Sequence, residues 1–290
     1  MMKLRALAWV GLGLAFAATA VAGEEPSRTR EEFCEKAQDF GYFKTLIAER
    51  RNQLSFTNPP IGIANGGICW WHSRMTRYAT YLGVYKPELP RPTEAQAKKI
   101  IKAFTKGEKL GKPNVVEVPG YHNFHEFSRD WEEQIQKRLE EWQVNEGVWG
   151  ADWLTRGLHG STKVSAAKLK KTMDELYELV EEKKEITYQM LQMPGVVAHA
   201  WLVVNMAKVP NGYDLEVVDS NFYGTRVHKY REGMENFGYA NGAAFVPYTD
   251  RLKEVKNVRK AIDNYCKNGT VEKLPEAKPA SNRRDSSYGD

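Results

Sequence analysis

The chain has 290 residues and a formal net charge of +5, and 42% of its residues are hydrophobic. This length is enough for one large domain or for two lobes that share a cleft. The net charge is small for the length, and no basic stripe alternates with aromatic side chains. The sequence therefore argues against nucleic acid as a partner.

The first 22 residues have the pattern of a secretory signal peptide. Lys3 and Arg5 form a charged start, residues 6–17 are apolar, and Ala20-Val21-Ala22 is an A-x-A cleavage site. The apolar segment is too short to span a bilayer, and no later stretch reaches about 18 apolar residues. We expect an exported protein, periplasmic or secreted, with no membrane span after cleavage. Cleavage would lower the net charge from +5 to +3, because two basic residues leave.

Helical patterns dominate the first two-thirds of the chain. Trp71, Met75, Tyr78 and Leu82 form one apolar stripe in a helix that Gly83 closes. A second helix begins with a capping box of the S/T-x-x-E/Q type. Helices are predicted at residues 28–53, 69–82, 93–105, 124–142 and 165–184, and a short strand is predicted at 115–118.

Strand patterns dominate the last third, which makes the expected fold class α+β. Strands are predicted at residues 186–193, 196–206, 213–220 and 226–230, and a last helix at 250–266. We expect one domain over residues 23–272, with a helical lobe at about 28–184 and a sheet lobe at about 185–266. Residues 273–290 are polar and rich in Pro and Ser, which predicts a disordered tail.

Three residues have the order and context of a catalytic constellation. Cys69 opens a predicted helix, His199 begins an apolar strand, and Asp219 ends the next strand. These types are a nucleophile, a base and an orienter. The positive end of a helix dipole and a nearby imidazolium both favour a thiolate. Gly66 and Gly67 allow a close backbone approach that would leave the Cys69 N–H available to an oxyanion.

The register of the strand pair tests whether His199 and Asp219 meet. A tight turn at Asn211-Gly212 would place Asp219 on the sheet face away from His199. That turn would require a ladder hydrogen bond from Pro210, which has no N–H.

A wider loop at about residues 207–213 removes that difficulty. It places Asn221 opposite His199 and puts Asp219 diagonally across on the same face. Asp219 and Asn221 are therefore both candidates for the third position. We prefer Asp219 for its charge.

These motifs resemble those of the papain-like cysteine peptidases, whose nucleophile region reads C-G-S-C-W-x-x-S. Gly67-Ile68-Cys69-Trp70 and Ser73 match its second half, His199-Ala200 matches the family's H-A, and Asp219-Ser220 stands in place of its N-S. The 130 residues from Cys69 to His199 fit the family spacing. The resemblance implies a helical lobe carrying the cysteine helix against an antiparallel sheet lobe. It also implies a thiol protease acting on peptides or proteins, including cell-wall peptides.

The sequence departs from the family pattern at several positions. Gly66 replaces the first cysteine of the motif, and Ile63 replaces the glutamine that serves the oxyanion hole. Asn65 and Gln53 are alternative sources of that amide. The tryptophan of the family's N-S-W tripeptide is absent, because Asn221 stands there.

Two other interpretations follow from the same residues. His199-Ala200-Trp201 with a downstream aspartate is similar to the transglutaminase-like relatives, which use Cys-His-Asp to pass an acyl group to an amine. The missing glutamine at position 63 instead favours a catalytically inactive papain fold that binds peptides or cell-wall material. Neither alternative changes the expected fold.

The remaining candidates concern the surroundings of the site. Trp70 and His72 are expected to line a substrate cleft. Cys34 and Cys266 lie near the two ends of the mature chain, and the ends of a domain are often close, so a disulfide between them is reasonable. The alternative is two buried thiols.

His122, His125 and Glu126 have a spacing close to that of metal ligands. No known zinc signature has this order, and a third ligand is not evident. Neither a metal nor a cofactor is therefore expected.

Overall fold

The computed structural model describes residues 24–60, 67–106, 112–147, 163–192, 198–238, 244–249 and 253–276. The predicted signal peptide and most of the predicted tail lie outside these ranges. The described part combines helices with an antiparallel sheet, as the α+β prediction requires. None of its helices has both the length and the apolar character that a bilayer crossing needs.

Most of the described helices precede the antiparallel sheet in sequence, and one described helix follows it. They are α1 (Arg30–Lys36), α2 (Gly41–Ala48), α3 (Cys69–Leu82), α4 (Glu94–Phe104), α5 (Phe124–Asp130), α6 (Glu132–Gly147), α7 (Ala166–Tyr177) and α8 (Lys253–Asn268). A 3₁₀ turn at Arg50–Asn52 follows α2, and a π-helical turn at Glu178–Glu182 follows α7. The predicted bounds of α3 are confirmed, with Gly83 at its C-cap.

The local signals at helix ends explain which predictions hold. The capping box is present, since Thr93 accepts from the Gln96 N–H and the Gln96 side chain accepts from the Thr93 N–H. The single helix predicted at 124–142 is instead α5 and α6. The backbone is not helical at Trp131, which separates the two helices. The Trp131 indole N–H donates to the Tyr121 hydroxyl at 3.0 Å.

The strands form two sheets. They are β1 (Gly83–Lys86), β2 (Val116–Pro119), β3 (Thr187–Gln192), β4 (Ala198–Val209), β5 (Gly212–Asp219), β6 (Thr225–Arg231), β7 (Phe237–Gly238) and β8 (Ala244–Thr249). Strands β1 and β2 make a small parallel pair. The others form an antiparallel sheet in the order β6-β5-β4-β3-β8-β7. The sequence pattern does not predict β1, β7 or β8.

Strand β4 separates two apolar clusters. Ala200, Leu202 and Val204 belong to the cluster that includes the buried stripe of α3. Trp201 and Val203 belong to the cluster that includes the buried side chains of α7. This alternation is the period of two that a strand buried on both faces produces. Helix α3, which begins with Cys69, therefore packs against β4, which contains His199.

The β4–β5 hairpin closes with a tight turn rather than with the wide loop predicted at 207–213. Val209 pairs with Gly212, so Pro210 and Asn211 are the turn residues. Proline suits the first central position, where its fixed φ is favourable, and Asn211 takes the positive φ of 59° at the second. The wide-loop prediction is wrong, because strand pairing continues up to Val209 and Gly212. The tight turn lies at Pro210-Asn211, one residue earlier than the Asn211-Gly212 turn considered from the sequence.

A β-bulge between Val203 and Asn205 shifts the register of this hairpin by one residue. Beyond the bulge Trp201 pairs with Asp219, which is the register expected from the wide loop. Because side chains alternate between faces, the hairpin without this shift would direct Asp219 away from His199.

The two ends of the described chain are joined covalently. Cys34 in α1 and Cys266 in α8 form a disulfide, with their Cα atoms 5.5 Å apart. Of the three cysteines in the sequence, Cys69 is the one outside the disulfide, and it is buried.

A buried ion triad connects α3 to α8. The carboxylate of Glu254, at the start of α8, accepts hydrogen bonds from Arg74 and Arg77, one turn apart on α3. All three side chains are buried, Glu254 to 2% exposure, and the Arg74 guanidinium lies 4.5 Å from the centre of the Trp142 ring. Burial raises the pKa of Glu254, but the two guanidinium charges outweigh it and lower that pKa.

Replacing Glu254 with glutamine is expected to lower the free energy of unfolding by about 3–5 kcal/mol, because two buried guanidinium groups lose their counter-charge. The midpoint of urea denaturation measures this change. Glu94→Gln is the control, since Glu94 pairs with Lys98 at the surface and its loss should leave the midpoint almost unmoved. Equal midpoints for E254Q and E94Q would contradict the assignment. Because the folded pKa of Glu254 is lowered, its contribution is present above about pH 4.5 and is lost as the pH falls through the folded pKa.

Candidate active site

Cys69 is the first residue of α3, and the segment before it has an unusual backbone. Gly67 has a φ of +84°, a conformation that L side chains rarely adopt. A Cβ at this position would lie 2.7 Å from the Asn58 side-chain nitrogen. Glycine is therefore required here by both the backbone angle and the space.

His199 and Asp219 are joined by a short, buried hydrogen bond. The Nε2 atom of His199 lies 2.7 Å from Oδ1 of Asp219, and the two residues are 4% and 1% exposed. The backbone N–H of Asn221 donates to the same oxygen at 2.9 Å. The Asp219 carboxylate thus orients the His199 ring, and the turn after Asp219 orients the carboxylate.

The third contact joins His199 to Cys69. The two side chains are hydrogen-bonded, so one imidazole ring contacts both the carboxylate of Asp219 and the thiol of Cys69. Burial lowers the pKa of His199, but the hydrogen bonds and charges of Asp219 and Cys69 outweigh it and raise the pKa to about 10. The imidazolium form is therefore favoured at neutral pH. The structure brings together the three residues that the sequence singled out.

Two further contacts fix the cysteine helix against the histidine strand. The Trp70 indole N–H donates to the backbone carbonyl of His199 at 3.3 Å, and the Ser73 hydroxyl donates to that of Ala200 at 3.4 Å. Trp70 is half-buried beside the site. These bonds limit sliding of α3 along β4, which keeps sulfur and imidazole in register.

His72, predicted to line a substrate cleft, lies in the interior. Its ring is buried, packs edge-on against Phe56, and has Nε2 2.9 Å from the Phe56 carbonyl oxygen. Burial lowers the pKa of His72 to about 4, so the ring is neutral at pH 7 and Nε2–H is the donor. A neutral donor in this position supports the loop that contains Phe56.

Three other residues were predicted for the site: Gln53, Asn65 and Asn221. Gln53 is buried, and its amide donates to the Ile47 carbonyl at 3.0 Å near the end of α2. Asn65 lies outside the described residues. The Asn221 side-chain oxygen accepts from the Asn58 amide at 3.0 Å, so Asp219, and not Asn221, holds the imidazole.

Two residues near the site were missed by the sequence analysis. The Gln143 amide, from α6, donates to the Gly67 carbonyl at 2.9 Å. The Asn58 side-chain oxygen accepts from the Ile68 N–H at 2.7 Å. Neither residue belongs to a motif with a recognisable spacing, and only the fold brings them to the segment before Cys69.

His122, just before α5, pairs with Glu126 on that helix. The Nδ1 atom of His122 lies 3.2 Å from a Glu126 carboxylate oxygen at the surface. Across the described ranges, His, Cys, Asp and Glu side chains do not gather in groups of three that could hold a metal ion.

The chain matches no protein-family model, no curated protein and no solved structure. Its chemistry is therefore interpreted from its own atoms. The likeness to papain-like enzymes rests on the short motifs around Cys69, His199 and Asp219.

Proposed function

We propose that the protein is an exported cysteine hydrolase of the papain-like type that cleaves peptide or amide bonds through a thioester. The observation that carries this proposal is the buried row of hydrogen bonds from Cys69 through His199 to Asp219. A nucleophile, a base and an orienter in mutual contact are the minimum set for acyl transfer. The substrates would be peptides or proteins, with cell-wall peptides included.

In the first half of the reaction, the Cys69 thiolate attacks the substrate carbonyl carbon. A carbon–sulfur bond forms and the carbonyl electron pair moves to oxygen. The N-terminus of a helix carries a partial positive charge, so the Cys69 N–H is suited to bind this oxyanion. His199 then gives its proton to the amine as the carbon–nitrogen bond breaks.

In the second half, water replaces the amine. His199, now neutral, takes a proton from water as the oxygen attacks the thioester carbon. The carbon–sulfur bond breaks, the carboxylic acid leaves, and the thiolate–imidazolium pair is restored. Asp219 holds the ring in one orientation and stabilises its charged form throughout.

One observation favours a second candidate function. The orienting residue is a carboxylate, as in the transglutaminase-like relatives, rather than the amide of the usual papain motif. The same thioester would then pass to an amine instead of water. The two reactions share every step up to release of the first amine.

A single experiment separates these outcomes. The purified protein is incubated with a peptide library that includes cell-wall peptides, together with a fluorescent primary amine. New peptide termini without label would support hydrolysis. Label in the peptides with release of ammonia would support acyl transfer. The absence of both products, with Cys69 intact and reduced, would contradict the proposed function.

A further inference from the structure

We infer that Asn58 is a positioning residue that couples the segment before Cys69 to the turn after Asp219. This inference rests on the proposed function and extends it to a residue outside the Cys-His-Asp set. Asn58 is half-buried and lies outside the sequence motifs that contain the triad.

Asn58 makes three hydrogen bonds to two separate segments. Its side-chain oxygen accepts from the Ile68 N–H at 2.7 Å, immediately before the nucleophile. Its side-chain amide donates to the Asn221 side-chain oxygen at 3.0 Å. Its backbone N–H donates to the Ser220 carbonyl at 2.7 Å. Asn58 therefore bridges both segments at once.

These bonds complete a closed ring of contacts. The Asn221 backbone N–H donates to the Asp219 oxygen that holds His199, and His199 contacts Cys69, the neighbour of Ile68. In such a ring, loss of one bond relaxes the alignment of the others, because each group is oriented by its neighbours. Removal of the Asn58 side chain should thus weaken the contact of Asp219 with His199, although Asn58 does not touch either residue's reacting atoms.

The neighbouring residues Pro59 and Gly67 restrict the conformation of Asn58. Pro59 follows it, and the residue before a proline is confined to extended backbone conformations. On the other side, Gly67 has no side chain where a Cβ would lie 2.7 Å from the Asn58 amide nitrogen. The bridge therefore depends on an asparagine before proline meeting a glycine with positive φ.

The rate of Cys69 alkylation tests this role without any substrate. Cys69 is the one cysteine of the sequence outside the disulfide, so iodoacetamide reports on it alone. We expect Asn58→Ala to lower the alkylation rate at pH 6 on the order of tenfold. The rise in rate as His199 loses its proton should also move to lower pH, because a less firmly held Asp219 supports the imidazolium less.

Two further variants make the test specific. Asn114→Ala removes an amide that bonds Glu272, outside the ring, and should leave the pH profile unchanged. Asn221→Ala removes the acceptor of the Asn58 amide, and its effect should add less than fully to that of Asn58→Ala, because both variants break the Asn58–Asn221 bond. Only Asn58→Ala also removes the acceptor of the Ile68 N–H. If Asn58→Ala fails to fold, Asn221→Ala alone must show the same direction of change.

Comparison with His199→Ala distinguishes failure of the positioning role from failure of the proposed function. If His199→Ala slows alkylation but Asn58→Ala and Asn221→Ala keep the wild-type profile, the positioning role is wrong and the proposed function stands. Additive effects of the two asparagine variants would also overturn the coupling. If His199→Ala itself alkylates like the wild type, the proposed function fails.

Discussion

Replacing Cys69 with alanine is expected to abolish hydrolysis, and replacing His199 with alanine is expected to lower kcat/KM by at least about a thousandfold. Alanine at position 69 removes the atom that forms the thioester. Alanine at position 199 removes both the charge that favours the thiolate and the proton that the leaving amine needs. The measurement is kcat/KM on a peptide identified in the library experiment.

The matched control for His199 is His122→Ala. His122 is an exposed histidine whose ring contacts Glu126, one turn away, and its loss should leave kcat/KM unchanged. Retention of full activity by Cys69→Ala would refute the thioester mechanism. Equal losses in the two histidine variants would show that the effect is not specific to the site.

The second large effect is expected at Asp219, where two substitutions separate orientation from charge. Alanine removes the acceptor for both the His199 ring and the Asn221 N–H, and should lower kcat/KM by about a hundredfold to ten-thousandfold. Asparagine keeps an acceptor oxygen in the same place and loses only the charge. We therefore expect the loss for Asp219→Asn to be much smaller, about tenfold.

Loss of the Asp219 charge should also shift the pH dependence of kcat/KM in a defined direction. Asp219 contributes to the raised pKa of His199, which is about 10, so Asp219→Asn should move the alkaline limb of the kcat/KM profile to lower pH. An unchanged alkaline limb would contradict the assigned contact.

The same linkage predicts how His199 affects stability. Its folded pKa of about 10 lies above the ordinary 6.5. Its contribution to the free energy of unfolding is therefore fully present below pH 6.5 and is lost as the pH rises through about 10. Urea denaturation of the wild type and of His199→Ala at pH 6 and above pH 10 should show the difference between them shrink.

The sequence by itself determined the elements whose causes are local. The apolar stripe of α3 and the capping box of α4 depend on residues within a few turns, so their bounds were predictable. The three residues of the candidate site were also predicted together, because their types and order are those of the proposed acyl-transfer chemistry.

Only the tertiary structure decided how those three residues align. The register that joins His199 to Asp219 depends on a β-bulge beside Met206, whose N–H donates to Glu181 at 2.7 Å across 25 residues of sequence. The Asn58 bridge likewise spans 10 residues to Ile68 and 163 to Asn221. Bonds of this kind join groups that no short periodicity relates, since their energy appears only when distant segments pack together. The residue types therefore indicated the proposed chemistry, and packing set the geometry of the three side chains.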